Sequence, residues 1–111
     1  MAYDEALAGR IRALTASEAG IAEKRMFGGL AFLVNGNMAV AASGQVGILL
    51  RVDPAESAAL VAGSAAQVAV MRGREMPGWL RVGADELVDE SALAEWVGRG
   101  IAFARSLPAK P

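Results

Sequence analysis

The sequence predicts one soluble α+β domain. Three observations carry that prediction: helical apolar spacing near both ends, β-branched runs broken by glycine and asparagine turns between them, and a length of 111 residues. A chain of this size buries one core and is too short for two. With 54% hydrophobic residues, 21% charged residues and a net charge of −1, it falls in the globular class and outside the disordered one.

From Tyr3 to about Ser17 the apolar residues Tyr3, Leu7, Ile11 and Leu14 recur with helical spacing, while Asp4, Glu5, Arg10 and Arg12 take other positions. Gly20 is the expected stop. The runs Glu23 to Phe27, Leu30 to Val34, Met38 to Ala42 and Val46 to Val52 then read as antiparallel strands. Asn35-Gly36-Asn37 gives the strongest turn signal, because Asn-Gly accepts the positive φ angles of a two-residue hairpin turn. Ser43-Gly44-Gln45 is a second hairpin candidate.

Asp53-Pro54-Ala55-Glu56 has the form of a helix start, with Asp53 as cap, Pro54 in the first turn and Glu56 able to reach back. That helix should end at about Ala62, before Gly63. Gln67 to Met71 and Trp79 to Val82 predict two more strands. The segment from Arg72 to Gly78 is expected to join them irregularly, since Pro77 and Gly78 oppose a continuous strand. Asp89 can cap a last helix whose apolar face is Leu93, Trp96, Val97, Ile101 and Ala104, with Glu90 near its start and Arg105 near its end. Pro108 stops it.

Composition narrows the chemistry. Without cysteine the chain has no disulfide framework, thiolate nucleophile or Cys-ligated metal. Without histidine it lacks the usual proton-transfer group near neutral pH and the commonest nitrogen ligand. Acid–base work would fall to carboxylates, lysine or Tyr3, and no catalytic motif is present, so neither enzyme activity nor a cofactor is expected. The start Met1-Ala2-Tyr3-Asp4-Glu5 lacks the pattern of a signal peptide, and no stretch has the roughly 18 apolar residues of a membrane helix. A cytoplasmic location and no membrane association are the expectations.

The segment Lys24-Arg25-Met26-Phe27-Gly28-Gly29-Leu30-Ala31-Phe32 resembles the signature of the TfoX/Sxy N-terminal domain. Leu50-Arg51-Val52-Asp53, Met76-Pro77-Gly78-Trp79 and the closing helix around Trp96 follow in that family's order, so the resemblance spans about Tyr3 to Leu107. It implies an α-β(3)-α-β(2)-α fold with an antiparallel sheet, similar to secretion chaperones, in which Glu23 to Val34 counts as one bent strand. The domain would occupy residues 1–108, with 109–111 as a short tail. The resemblance also implies a link to transcriptional regulation, because the better-known members promote competence genes. The chain stops at Pro111, so a stand-alone N-terminal domain is expected, without the C-terminal domain of those members.

Four groups of residues are candidates for function. Asp85, Glu86, Asp89, Glu90 and Glu95 form the one dense acidic group; it suits either a hard-ion site or a solvated helix start. Gly28-Gly29 would present backbone N–H groups to an anion or mark a strand bulge. Lys24, Arg25, Arg51, Arg72, Arg74 and Arg81 stand against Asp53, Glu56 and Glu75 over the same interval, a local balance of +3. Arg25, Arg51 and Arg81 would share a face if the strands pair suitably, and that face would be a solvated surface, a site for an acidic protein or one for nucleic acid. Met26, Met38, Met71 and Met76 with Phe27, Phe32 and Trp79 suit a core or an adaptable binding surface.

Met76 and Trp79, with the six cations, are the candidate partner-binding residues. The expected function is a non-enzymatic regulatory or adaptor module that binds a macromolecule. The expected partner is another protein, including transcription machinery, with homodimerisation open. Direct nucleic-acid binding through a basic sheet face is the first alternative. Small-molecule binding, or an enzyme built on carboxylate and arginine, is the second.

Overall fold

Each helix starts at a residue whose carboxylate satisfies otherwise unpaired backbone donors. The computed structural model describes residues 3–26, 28–43 and 47–109. Met1, Ala2, Phe27, Gly44, Gln45, Val46, Lys110 and Pro111 therefore lie outside the described residues, and with them the hairpin expected at Ser43-Gly44-Gln45. Helix α1 (Glu5–Leu14) is capped by Asp4, which accepts from the Ala6 and Leu7 N–H groups. Helix α2 (Pro54–Ala62) is capped by Asp53 through the Ala55 N–H, with Pro54 in its first turn. Helix α3 (Glu90–Ser106) is capped by Asp89 through Ser91. Its expected apolar face, Leu93, Trp96, Val97, Ile101 and Ala104, is buried.

Between the helices lie β1 (Ile21–Met26), β2 (Gly29–Val34), β3 (Asn37–Ala42), β4 (Ile48–Arg51), β5 (Gln67–Met71) and β6 (Arg74–Val82). They form one antiparallel six-stranded sheet in the order β1-β2-β3-β4-β6-β5. The expected order of helix, strands, helix, strands, helix is present in a single α+β domain. Within it, residues 21–34 form a hairpin and not one bent strand, because Ile21 pairs with Val34 and Met26 with Gly29. Gly28 takes a φ of 73° in the connection. Gly29 thus starts a new strand after the turn at Gly28; the bulge in this part of the sheet lies at Phe32/Leu33, opposite Ala39.

Asn35 and Gly36 have φ angles of 51° and 86° and close the β2–β3 hairpin, as the turn signal predicts. Asn37 belongs to β3 instead of the turn. It is buried, and its Nδ2 donates to the Pro108 carbonyl at 2.9 Å, fastening the segment after α3 to the sheet.

The expected irregular segment from Arg72 to Gly78 is the main correction. A two-residue turn at Arg72 and Gly73, with φ angles of 53° and 76°, is followed at once by the nine-residue β6. Pro77 is tolerated for two local reasons. The β5–β6 register shifts between Val68 and Val70, and the pairing with β4 reaches only Trp79, with one further bond from the Val52 N–H to the Gly78 carbonyl. Proline's missing donor therefore interrupts no ladder.

All three helices pack on one face of the sheet, where Leu7, Ile11, Leu93, Trp96 and Ile101 meet Phe32, Val40, Leu50 and Leu80. A short 3-10 turn, Ala84–Leu87, seals one end by burying Leu87. The opposite face carries no helix among the described residues. It has a small apolar cluster of its own, Ala31, Met38, Ala41, Leu49 and Ala69, over which Met26, Leu33 and Trp79 pack. No described helix is long and apolar enough to cross a membrane.

Candidate functional site

Strand register decides which of the sequence candidates share a face. Paired residues on antiparallel strands point to the same side, and positions two apart repeat that side. One row therefore crosses all six strands: Lys24, Ala31, Ala41, Leu49, Arg81 and Gln67. Ala31, Ala41 and Leu49 belong to the cluster away from the helices, so this row lies on the helix-free face. Its apolar middle is buried, with Lys24 on the edge strand β1 at one end and Arg81 on β6, next to Gln67 of the edge strand β5, at the other.

Two residues along, Arg51 pairs with Trp79 on that face. The Arg51 guanidinium carbon lies 5.2 Å from the centre of the Trp79 ring and 5.6 Å from that of Phe103, which α3 brings to the sheet rim. Two candidates proposed separately from the sequence are therefore in contact. Phe103 was not singled out because it lies off the stripe that fixes α3; only the packing of α3 across β4 makes it a neighbour.

Arg25 does not join this group. It pairs with Leu30 of the helix-side cluster and therefore faces the other way, lining a shallow cavity with Tyr3, Met26 and Gly28. Arg81 is half-buried and donates to the Ser43 hydroxyl at 3.1 Å. Arg72 and Arg74 are exposed at the tip of the β5–β6 hairpin, next to Val70, which is 56% exposed. Met76 is half-buried behind them. Phe32 lies in the helix-side core, whereas Met26 and Met38 lie with Trp79 on the helix-free face.

Most of the acidic residues occupy other ground, Asp85 and Glu86 excepted. Glu23 pairs with Phe32 and so faces the helices, where it forms a two-bond ion pair with Arg12 at 2.6 and 2.9 Å. Hydrogen bonding from Arg12 holds the Glu23 carboxyl below its ordinary range, and the same contact raises the guanidinium pKa. Glu90 binds Arg10, which also donates to the Leu87 carbonyl, and Glu18 binds Arg105. Asp4, Asp53 and Asp89 cap helices. Asp85 and Glu86 lie in the 3-10 turn, beside Arg81 and Gly83 around a surface depression. Among the described residues no three such side chains come together as a metal-holding group. Glu75 pairs with Val70 near the hairpin tip. The helix-free row and the Arg51/Trp79 pair thus combine three cations, Lys24, Arg51 and Arg81, with no strand carboxylate between them.

No curated protein and no solved structure gave a significant match to this sequence. A family model did: that of the TfoX N-terminal domain, over residues 13–104. The matched span runs from the end of α1 through the whole sheet to the last turns of α3, and so takes in the row of cations, Arg51, Trp79 and Phe103. With this match over most of its length, the chain belongs to the TfoX N-terminal domain family.

Proposed function

We propose that this domain is a regulatory adaptor whose helix-free sheet face binds an acidic segment of a partner protein. The family supports a regulatory or competence-related role in general. The observation that carries the finer reading is a set of strand cations on one face with no carboxylate in their row. Lys24, Arg51 and Arg81 stand on the face away from the helices, Arg81 with Asp85 and Glu86 near it at one end, while Glu23, Glu90 and Glu18 are each neutralised by an arginine elsewhere. The half-exposed Met26, Leu33 and Trp79 give that face apolar contacts suited to side chains, and methionine adapts to irregular partners. A protein partner is favoured over nucleic acid because the chain's net charge is −1 and its cations on this face are few, whereas phosphate binding draws its strength from many.

The test is capture of partners from native cells, followed by a binding measurement on the purified partner. Reversing Lys24 and Arg81 together to Glu, with the fold verified by circular dichroism, should abolish that binding, and added salt should weaken it for the unmodified domain. Unchanged binding by the reversed variant overturns the reading. A nuclease-sensitive, salt-weakened signal would replace it with nucleic-acid binding.

A further inference from the structure

The arginines differ in how their donors are satisfied. Three are half-buried: Arg10, Arg51 and Arg81. Arg10 donates to Glu90 and to the Leu87 carbonyl, and Arg81 donates to Ser43. Arg51 has ring contacts with Trp79 and Phe103, yet among the described residues its guanidinium has no carboxylate, carbonyl or hydroxyl acceptor. An arginine partly withdrawn from water and held against two rings has lost freedom while keeping its planar fork of donors, the form in which guanidinium best reads a planar oxyanion.

We infer that Arg51 is the carboxylate-reading residue of the helix-free face: it receives an Asp or Glu side chain of the bound segment on its donor edge, with Trp79 and Phe103 fixing its orientation. This rests on the reading of that face as a site for an acidic protein segment. Two neighbours favour a carboxylate over phosphate. Asp53 and Glu56 line, with Arg99 and Phe103, a cavity of about 320 Å³, Phe103 being the ring that also meets Arg51, and two carboxylates at that rim oppose a polyphosphate more than a single carboxylate. The pairing of Arg51 with Trp79 also places an aromatic surface where the stem of the incoming side chain would lie.

The experiment is an NMR titration at low salt that follows the arginine Nε–Hε signals. The probe is an acetylated, amidated peptide of alternating Glu and Leu, with its Gln-for-Glu counterpart as control. A saturable shift of the Arg51 signal with the Glu peptide and none with the Gln peptide is expected. Arg51→Lys should weaken binding about tenfold, because an ammonium does not reproduce the two-bond fork. Phe103→Leu should weaken it by less, leaving charge in place but loosening the guanidinium. If the Arg81 signal and amides of the central row shift saturably while Arg51 does not, the Arg51 assignment fails and the face remains a binding surface. If no signal shifts saturably, both fail. If an oligothymidylate shifts Arg51 and the Glu peptide does not, the carboxylate assignment is overturned in favour of phosphate.

Discussion

Gly100 of α3 lies directly against the backbone of Ala39 in β3: a Cβ added at Gly100 would stand 2.5 Å from the Ala39 carbonyl oxygen and 3.2 Å from its carbonyl carbon. Ala39 is the residue left over where the β2–β3 register shifts, so the bulge pushes backbone toward the helix and the missing side chain makes room for it. This contact sets the depth at which α3 crosses the sheet, and hence the position of Phe103 beside Arg51.

Gly100→Ala should destabilise the domain despite alanine's better helix propensity, worth about 1 kcal/mol. Overpacking against backbone costs about 1–3 kcal/mol and should exceed that gain. Chemical denaturation measures the balance; a variant more stable than the original would refute the close approach.

Arg72→Asn should stabilise the domain. Arg72 occupies a left-handed conformation, φ 53°, that asparagine accepts more readily in a two-residue hairpin turn. A gain of about 1 kcal/mol is expected, read as a raised denaturation midpoint. No change would mean that the turn is relaxed with arginine in place.

Asn37→Ala should cost about 1–2 kcal/mol through loss of the bond to the Pro108 carbonyl. Amide exchange localises the effect: protection should fall first in the last turn of α3 and at Leu107. Uniform loss of protection would instead indicate damage to β3.

The Arg12/Glu23 pair predicts an acid-sensitive contribution. The Glu23 carboxyl is held below its ordinary value of 4.5, so its contribution to stability is fully present above that value and is lost as pH falls through the lowered one. Glu23→Gln should lower the denaturation midpoint at pH 7 and leave it nearly unaltered well below the lowered value. An equal loss at both ends of this range would show that the effect is not electrostatic.

Much of the fold was legible in local sequence. Asp53 and Asp89 were readable as caps, Asn35-Gly36 as a turn, and the Leu93 to Ala104 stripe as a buried face, because each depends on residues within one or two turns of chain. The segment from Arg72 to Gly78 misled because Pro77 excludes a strand only where its missing donor would break a ladder. Whether a ladder exists there depends on how far β4 extends.

Composition and local pattern were enough for the α+β class, the limits of α2 and α3, the chemistry that absent histidine and cysteine remove, and the family, whereas α1 ends at Leu14, short of the expected stop at Gly20. The site came from strand register and helix packing. Side of the sheet is a matter of register, so Lys24 and Arg25, adjacent in sequence, point to opposite faces, and Lys24 joins Arg81 across the sheet. The contact of Arg51 with Trp79 and Phe103 likewise requires two strands and a helix from distant parts of the chain to meet at one rim, which no local pattern specifies.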